Sequence, residues 1–117
     1  MQIESSKIDD VLVVMPLEKQ IDASSAVDFK EKMLRWINDG NNKIVLNLSQ
    51  VDFVDSSGLG AILSNLKRLG TDGDLYVCCI KEAVMNLFKL TRMNRILKIF
   101  SSQDEAVKVL AASNIKG

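Results

Sequence analysis

Between Val51 and Leu69 the apolar residues change their spacing once, and that change constrains how the rest of the chain is arranged. Val51, Phe53 and Val54 form a short, aromatic-containing run that reads as extended. Asp55-Ser56-Ser57-Gly58 follows, a turn and helix-start cluster. Beyond it Leu59, Ile62, Leu63, Leu66 and Leu69 recur at i, i+3, i+4, i+7 and i+10, one face of a helix. A strand therefore hands over to a helix at residues 55–57. The unpaired N–H groups and partial positive charge of a helix N-terminus stabilise a hydroxyl, a carboxylate or a phosphate. Read on their own, Ser56, Ser57 and Asp55 are all candidate caps, and either serine would tolerate a phosphate. Gly58 and Gly60 each cost the first turns of a helix roughly 1 kcal/mol relative to alanine. With Ala61 and Ser64 they are expected to leave one low-relief face beside the serines, while the leucines go inward.

The remaining patterning supplies neighbours for this unit. Ile3 to Ile8, a turn at Asp9-Asp10 and Val11 to Met15 read as an edge hairpin whose second strand is the more buried, with Pro16 at its end. Leu17 to Asp22 is expected to be a polar connector. Ser25 with Asp28 resembles a capping box opening a first helix, with Ser24 as a competing cap. Ala26, Phe29, Met33, Trp36 and Ile37 recur at helical spacing until Gly40. Lys43 to Leu48 is a nearly continuous apolar run, the pattern of a central strand covered on both faces. The second helix ends with Lys67 and Arg68 before Gly70. Leu75 to Ile80 is another buried strand, and Glu82 to Leu90 a third helix. Ile96 to Phe100 returns weakly to strand, and Ser102 with Glu105 opens a last helix. Ser113 to Gly117 is expected to fray. Strands alternating with helices after a hairpin predict an α/β fold: a mixed, largely parallel sheet of about four to five strands with about four helices.

Composition removes several function classes. The chain is 117 residues long, which predicts a single domain over 1–117 that buries a core without disulfide or metal. Fifteen basic residues balance fifteen acidic ones and are dispersed, so nucleic acid is not an expected partner. There is no histidine, which excludes Ser-His-Asp and Cys-His catalysis and His-containing zinc patterns. Neither a catalytic residue nor a metal ligand nor a cofactor site is predicted. No apolar run approaches the length that spans a bilayer, so membrane insertion is not expected and the expected compartment is the cytoplasm. Cys78 and Cys79, on a strand, would point to opposite faces as small buried residues with no disulfide between them.

Asp55-Ser56-Ser57-Gly58-Leu59-Gly60, preceded by Ile44 to Leu48 and Phe53, resembles the signature of bacterial anti-sigma factor antagonists, members of the STAS domain superfamily. Gln20-Ile21-Asp22 and the stretch Val84-x-x-Leu87-Phe88-x-x-Thr91-x-Met93 extend the resemblance, which runs from about Ile3 to Leu110. It implies a STAS-like fold and a partner switch. The unmodified protein binds an anti-sigma factor that is also a serine kinase, the kinase phosphorylates the serine after the aspartate, and a serine phosphatase resets the cycle. Carried onto this chain, the acceptor is Ser56; the residues alone leave Ser56 and Ser57 equivalent. The partner face implied comprises Asp22, Ser24, Asp55, Ser57, Gly58, Leu59, Gly60, Ala61 and Ser64. The chain departs from the family at Lys19, where a glycine is common, and a long cation there alters the loop beside that face. Two other readings are a constitutive STAS interaction subunit, for instance in a lipid-transport or signalling complex, and, least favoured, an enzyme or small-ligand binder.

Overall fold

In the computed structural model, which describes residues 1–113, the handover lies in the middle of an alternating chain. The strands are β1 (Ile3–Ile8), β2 (Val11–Pro16), β3 (Gln20–Ile21), β4 (Lys43–Asn47), β5 (Phe53–Val54), β6 (Asp74–Cys78) and β7 (Lys98–Phe100). The helices are α1 (Ala26–Asn38), α2 (Ser56–Leu69), α3 (Glu82–Leu90) and α4 (Gln103–Ala111). Five strands form one sheet in the order β1-β2-β4-β6-β7, antiparallel only between β1 and β2. The mixed α/β fold with a five-stranded sheet is the one the sequence predicts.

Alternation along the central strands divides the core in two. Leu12, Val14, Ile44, Leu46, Leu75 and Val77 face α1, α2 and α3, meeting Phe29, Met33, Ile62, Val84 and Phe88. Val11, Val13, Val45, Tyr76 and Cys78 face the other way and are covered by Ala106, Val107 and Leu110 of α4. This two-sided cover is why Lys43–Asn47 is buried at every position. Lys43 itself, 3% exposed, reaches the rim, where its Nζ donates to the Asp10 carboxylate (2.8 Å). Asn47 secures the start of α4 through an Nδ2–H···Oε1 bond to Gln103 (2.8 Å).

Several local expectations change. The connector after β2 contains β3, which pairs in parallel with β5 as a separate two-stranded ladder. No capping box forms at Ser25: its hydroxyl accepts from the Asp22 N–H (3.1 Å), while Asp28 pairs with the Met1 amine (2.7 Å) and Lys32 (3.3 Å). Ser102 does cap α4, accepting from the Glu105 N–H (3.2 Å). The strand expected to reach Ile80 ends at Cys78, and Cys79 has φ +60°, so the two cysteines do not alternate; both pack on the α4 side. Of the segment expected to fray, all but Ser113 lies outside the described residues.

Candidate functional site

The site begins with the β3–β5 ladder, which sets the chain's direction into α2. The N–H groups of Asp52 and Phe53 both donate to the Lys19 carbonyl (2.7 and 3.1 Å), and the Asp55 N–H donates to that of Ile21 (3.3 Å). Asp55 is extended (φ −99°, ψ −174°), the conformation of a residue just before a helix. Its carboxylate is used at both oxygens: Oδ1 accepts from the Gly58 N–H (3.0 Å) and Oδ2 from the Ala23 N–H (3.1 Å). Of the three candidate caps, Asp55 is the cap, and it also ties the start of α2 to the loop that precedes α1.

That assignment frees the serines. Ser56 and Ser57 are exposed in the first turn of α2, and neither hydroxyl has a hydrogen-bond partner among the described residues. Asp22 and Ser24 stand on the neighbouring loop and bind one another: Asp22 Oδ1 accepts from the Ser24 N–H (3.0 Å) and from its Oγ–H (2.6 Å). The Ser24 hydroxyl holds the Asp22 carboxyl below the usual carboxylate range, against an opposing contribution from partial burial.

The expected partner face is split by burial. Gly60 is exposed and Ser64 half-buried on the outer side of α2. Gly58, Leu59 and Ala61 are buried beneath that side of the helix, Ala61 at the floor of the dimple described below. A Cβ on Gly58 would come within 2.3 Å of the Ile21 carbonyl oxygen and 2.8 Å of Val54 Cγ1, so only glycine lets α2 start this close to β3. A Cβ on Gly60 would meet nothing within 4 Å. Asn65, one turn beyond Ala61, is also buried, and its amide has no hydrogen-bond partner among the described residues.

Two residues belong to the surface although their apolar character reads as core. Val27 is 66% exposed and, with Ala23, Lys30, Ser57 and Gly60, surrounds a dimple of about 280 Å³ floored by Ala26 and Ala61. Phe53 is 52% exposed beside the handover, because Val54, its neighbour in a two-residue strand, takes the inward position. Strict alternation is the signal that finds Phe53. Val27 is legible only as the apolar residue that falls off the inward face set by Ala26, Phe29 and Met33. Next to Phe53, Lys81 Nζ donates to Asp52, lowering that carboxyl's pKa, with Lys19 adding to the positive field.

Chemically, the arrangement presents hydroxyls. Both Asp55 oxygens accept backbone N–H groups, and neither serine hydroxyl is hydrogen-bonded to it. Among the described residues no three of His, Cys, Asp and Glu come together as metal ligands, and no helix is long and apolar enough to cross a membrane.

Comparison with known proteins gives a consistent result. The model of the STAS domain family matches residues 2–106. A Thermotoga maritima protein provisionally named an anti-sigma factor antagonist is 35% identical over 103 residues, 86% of this chain and 90% of its own. The anti-sigma-B factor antagonist of Staphylococcus aureus is 27% identical over 81 residues, 68% of this chain and 75% of its own. A crystal structure of an anti-sigma factor antagonist, again provisionally named, from Thermotoga maritima superposes with a TM-score of 0.88 at 33% identity, covering 92% of this chain and 93% of that one.

Proposed function

The chain belongs to the STAS domain family, alongside anti-sigma factor antagonists, and on that premise we propose that it is a phosphorylation-controlled partner switch. Unmodified, it binds an anti-sigma factor that is also a serine kinase and so releases a sigma factor. Phosphorylated on Ser56, it lets the kinase go, and a serine phosphatase restores it. Residues 1–117 act in this reading as one STAS module in the cytoplasm.

The observation that carries the reading is the division of labour at the helix start. Asp55 does the capping, so the Ser56 hydroxyl is exposed and uncommitted in the first turn. In the transfer, Ser56 Oγ attacks the terminal phosphorus of the kinase-bound nucleotide, the bond to the bridging oxygen breaks, and the hydroxyl proton goes to a base on the kinase. Asp55 is assigned the structural role of holding the helix start through both oxygens. The partner would rest on Ser57, Gly60 and Ser64 of α2 and on Asp22 and Ser24 across the loop, with Gly60 keeping the dimple beside Val27 open.

Phosphate adds about −1.5 to −2 charges at pH 7. The partial positive charge at the start of α2 offsets part of this inside the protein. At a close interface the same group brings bulk, desolvation cost and repulsion alongside Asp22 and Asp55. A loss of roughly 3 kcal/mol weakens binding about a hundredfold, enough for a switch with no backbone rearrangement.

Phosphopeptide and intact-mass spectrometry of protein from its native cells, growing and stressed, tests the reading. A fractional phosphate on Ser56 that varies with condition is the expected result. Phosphate on Ser57 in place of Ser56 would move the acceptor. No phosphate under any condition, with a partner still co-purifying, would replace the switch by a constitutive interaction subunit.

A further inference from the structure

The end of β6 breaks a rule of strand geometry. Successive side chains of a strand point to opposite faces, which would place Cys78 and Cys79 on either side of the sheet. Cys79 instead has φ +60°, the left-handed region that residues with a β-carbon seldom occupy. The turned backbone is held at both cysteines: the Cys79 N–H donates to the Phe100 carbonyl (3.2 Å) and the Cys78 carbonyl accepts from the Leu48 N–H (3.1 Å). As a result both side chains join one apolar cluster, with Val45, Tyr76 and Val107 under α4. Both thiols are free, Cys78 buried and Cys79 half-buried.

We propose that Cys78 and Cys79 form a vicinal dithiol that captures trivalent arsenicals as a cyclic dithiolate. Two thiols on one side of the sheet at adjacent residues are what a soft, doubly electrophilic centre needs, because thiolates favour soft acceptors and closure of the second bond is intramolecular. The order of events follows from exposure. Cys79, half-exposed, makes the first sulfur–arsenic bond, its proton leaving with an arsenic hydroxyl as water. Cys78, whose thiol burial pushes up to about 12 with a further contribution from its interaction with Cys79, reacts second. Its sulfur displaces the remaining hydroxyl as a second water. Arsenic stays trivalent and no electrons are transferred. Bonding to Cys78, in the cluster covered by Ala106 and Val107, couples capture to a loosening of α4. None of this involves Ser56 or its partner face, so the site stands apart from the switch.

Phenylarsine oxide and the full-length folded protein provide the test. One equivalent is expected to consume both thiols, give a single adduct by intact mass, resist excess mercaptoethanol and come off with dimercaptopropanol. In Cys78→Ala and Cys79→Ser the adduct is expected to be stripped by mercaptoethanol; the wild-type measurements stand without either variant. One thiol left free, two adducts per chain, or no adduct would overturn the proposal. So would capture no faster than global unfolding, because adjacency in the unfolded chain would then suffice.

Discussion

Gly58 and Gly60 are two residues apart on one helix and stand there for opposite reasons. Beneath α2, Gly58 is held between the Ile21 carbonyl and Val54, and the fold has no room for a methyl group. On its outer side, Gly60 has open space where a side chain would go. Gly60 gains the molecule nothing internally and costs roughly 1 kcal/mol against alanine. The underside of α2 is therefore shaped by the chain's own packing. The outer face carries a glycine that the chain's own packing does not require.

The largest expected effect comes from forcing the underside. Gly58→Ala should lose about 3 kcal/mol in urea unfolding, since backbone has to move out of the way; a loss under about 1 kcal/mol would mean the close approach to β3 is soft. Asp55→Ala should cost about 1–2 kcal/mol by leaving the Gly58 and Ala23 N–H groups without their acceptor. If Asp55→Asn, measured in parallel, retained full stability, one oxygen would be enough and the tie to Ala23 would be dispensable. Asn65→Leu, also on the underside, should gain about 1 kcal/mol by removing a buried amide that lacks a partner.

The outer face should behave in the reverse sense. Gly60→Ala is expected to raise stability by about 1 kcal/mol. Under the proposed switch, Gly60→Leu should fold and yet bind the anti-sigma kinase at least tenfold more weakly by calorimetry, and unaltered affinity would remove this face from the proposed interface. The smallest effect is on the loop opposite. Asp22 is held below its ordinary value of 3.8, so its contribution is present in full above that pH and is lost as pH falls through the lower folded value. Urea midpoints taken between about pH 5 and pH 2 should therefore fall less steeply in Asp22→Asn than in the wild type.

The handover from strand to helix was legible because periodicity is a local signal, and the helix over Ser56–Leu69 follows from it. So was Ser102, whose capping bond spans three residues. What escaped depends on groups distant in sequence. β3 exists only because β5 lies beside it, and two residues carry no periodic signal. Asp55 caps α2 through the nearby Gly58 N–H, but its second tie, to the N–H of residue 23, leaves no mark in the local sequence. Ser25 and Asp28 matched a capping pattern, but Asp28 found closer cations in the Met1 amine and Lys32. Gly58 and Gly60 are indistinguishable in the sequence, since the carbonyl that separates their roles belongs to Ile21. Cys79 left the strand pattern through a backbone angle that its side chain does not announce.

The sheet order β1-β2-β4-β6-β7 runs in the same direction as the chain. During synthesis each new strand of that sheet thus meets an edge that is already made, and none has to be inserted between two others. α4 is the exception in timing. The side of the sheet bearing Val11, Val13, Val45 and Tyr76 stays wet until the last helix emerges. A chain stalled before Gln103 would finish its sheet and still present a sticky, uncovered surface. The vulnerable interval in the folding of this sheet therefore lies between the completion of β7 and the docking of α4.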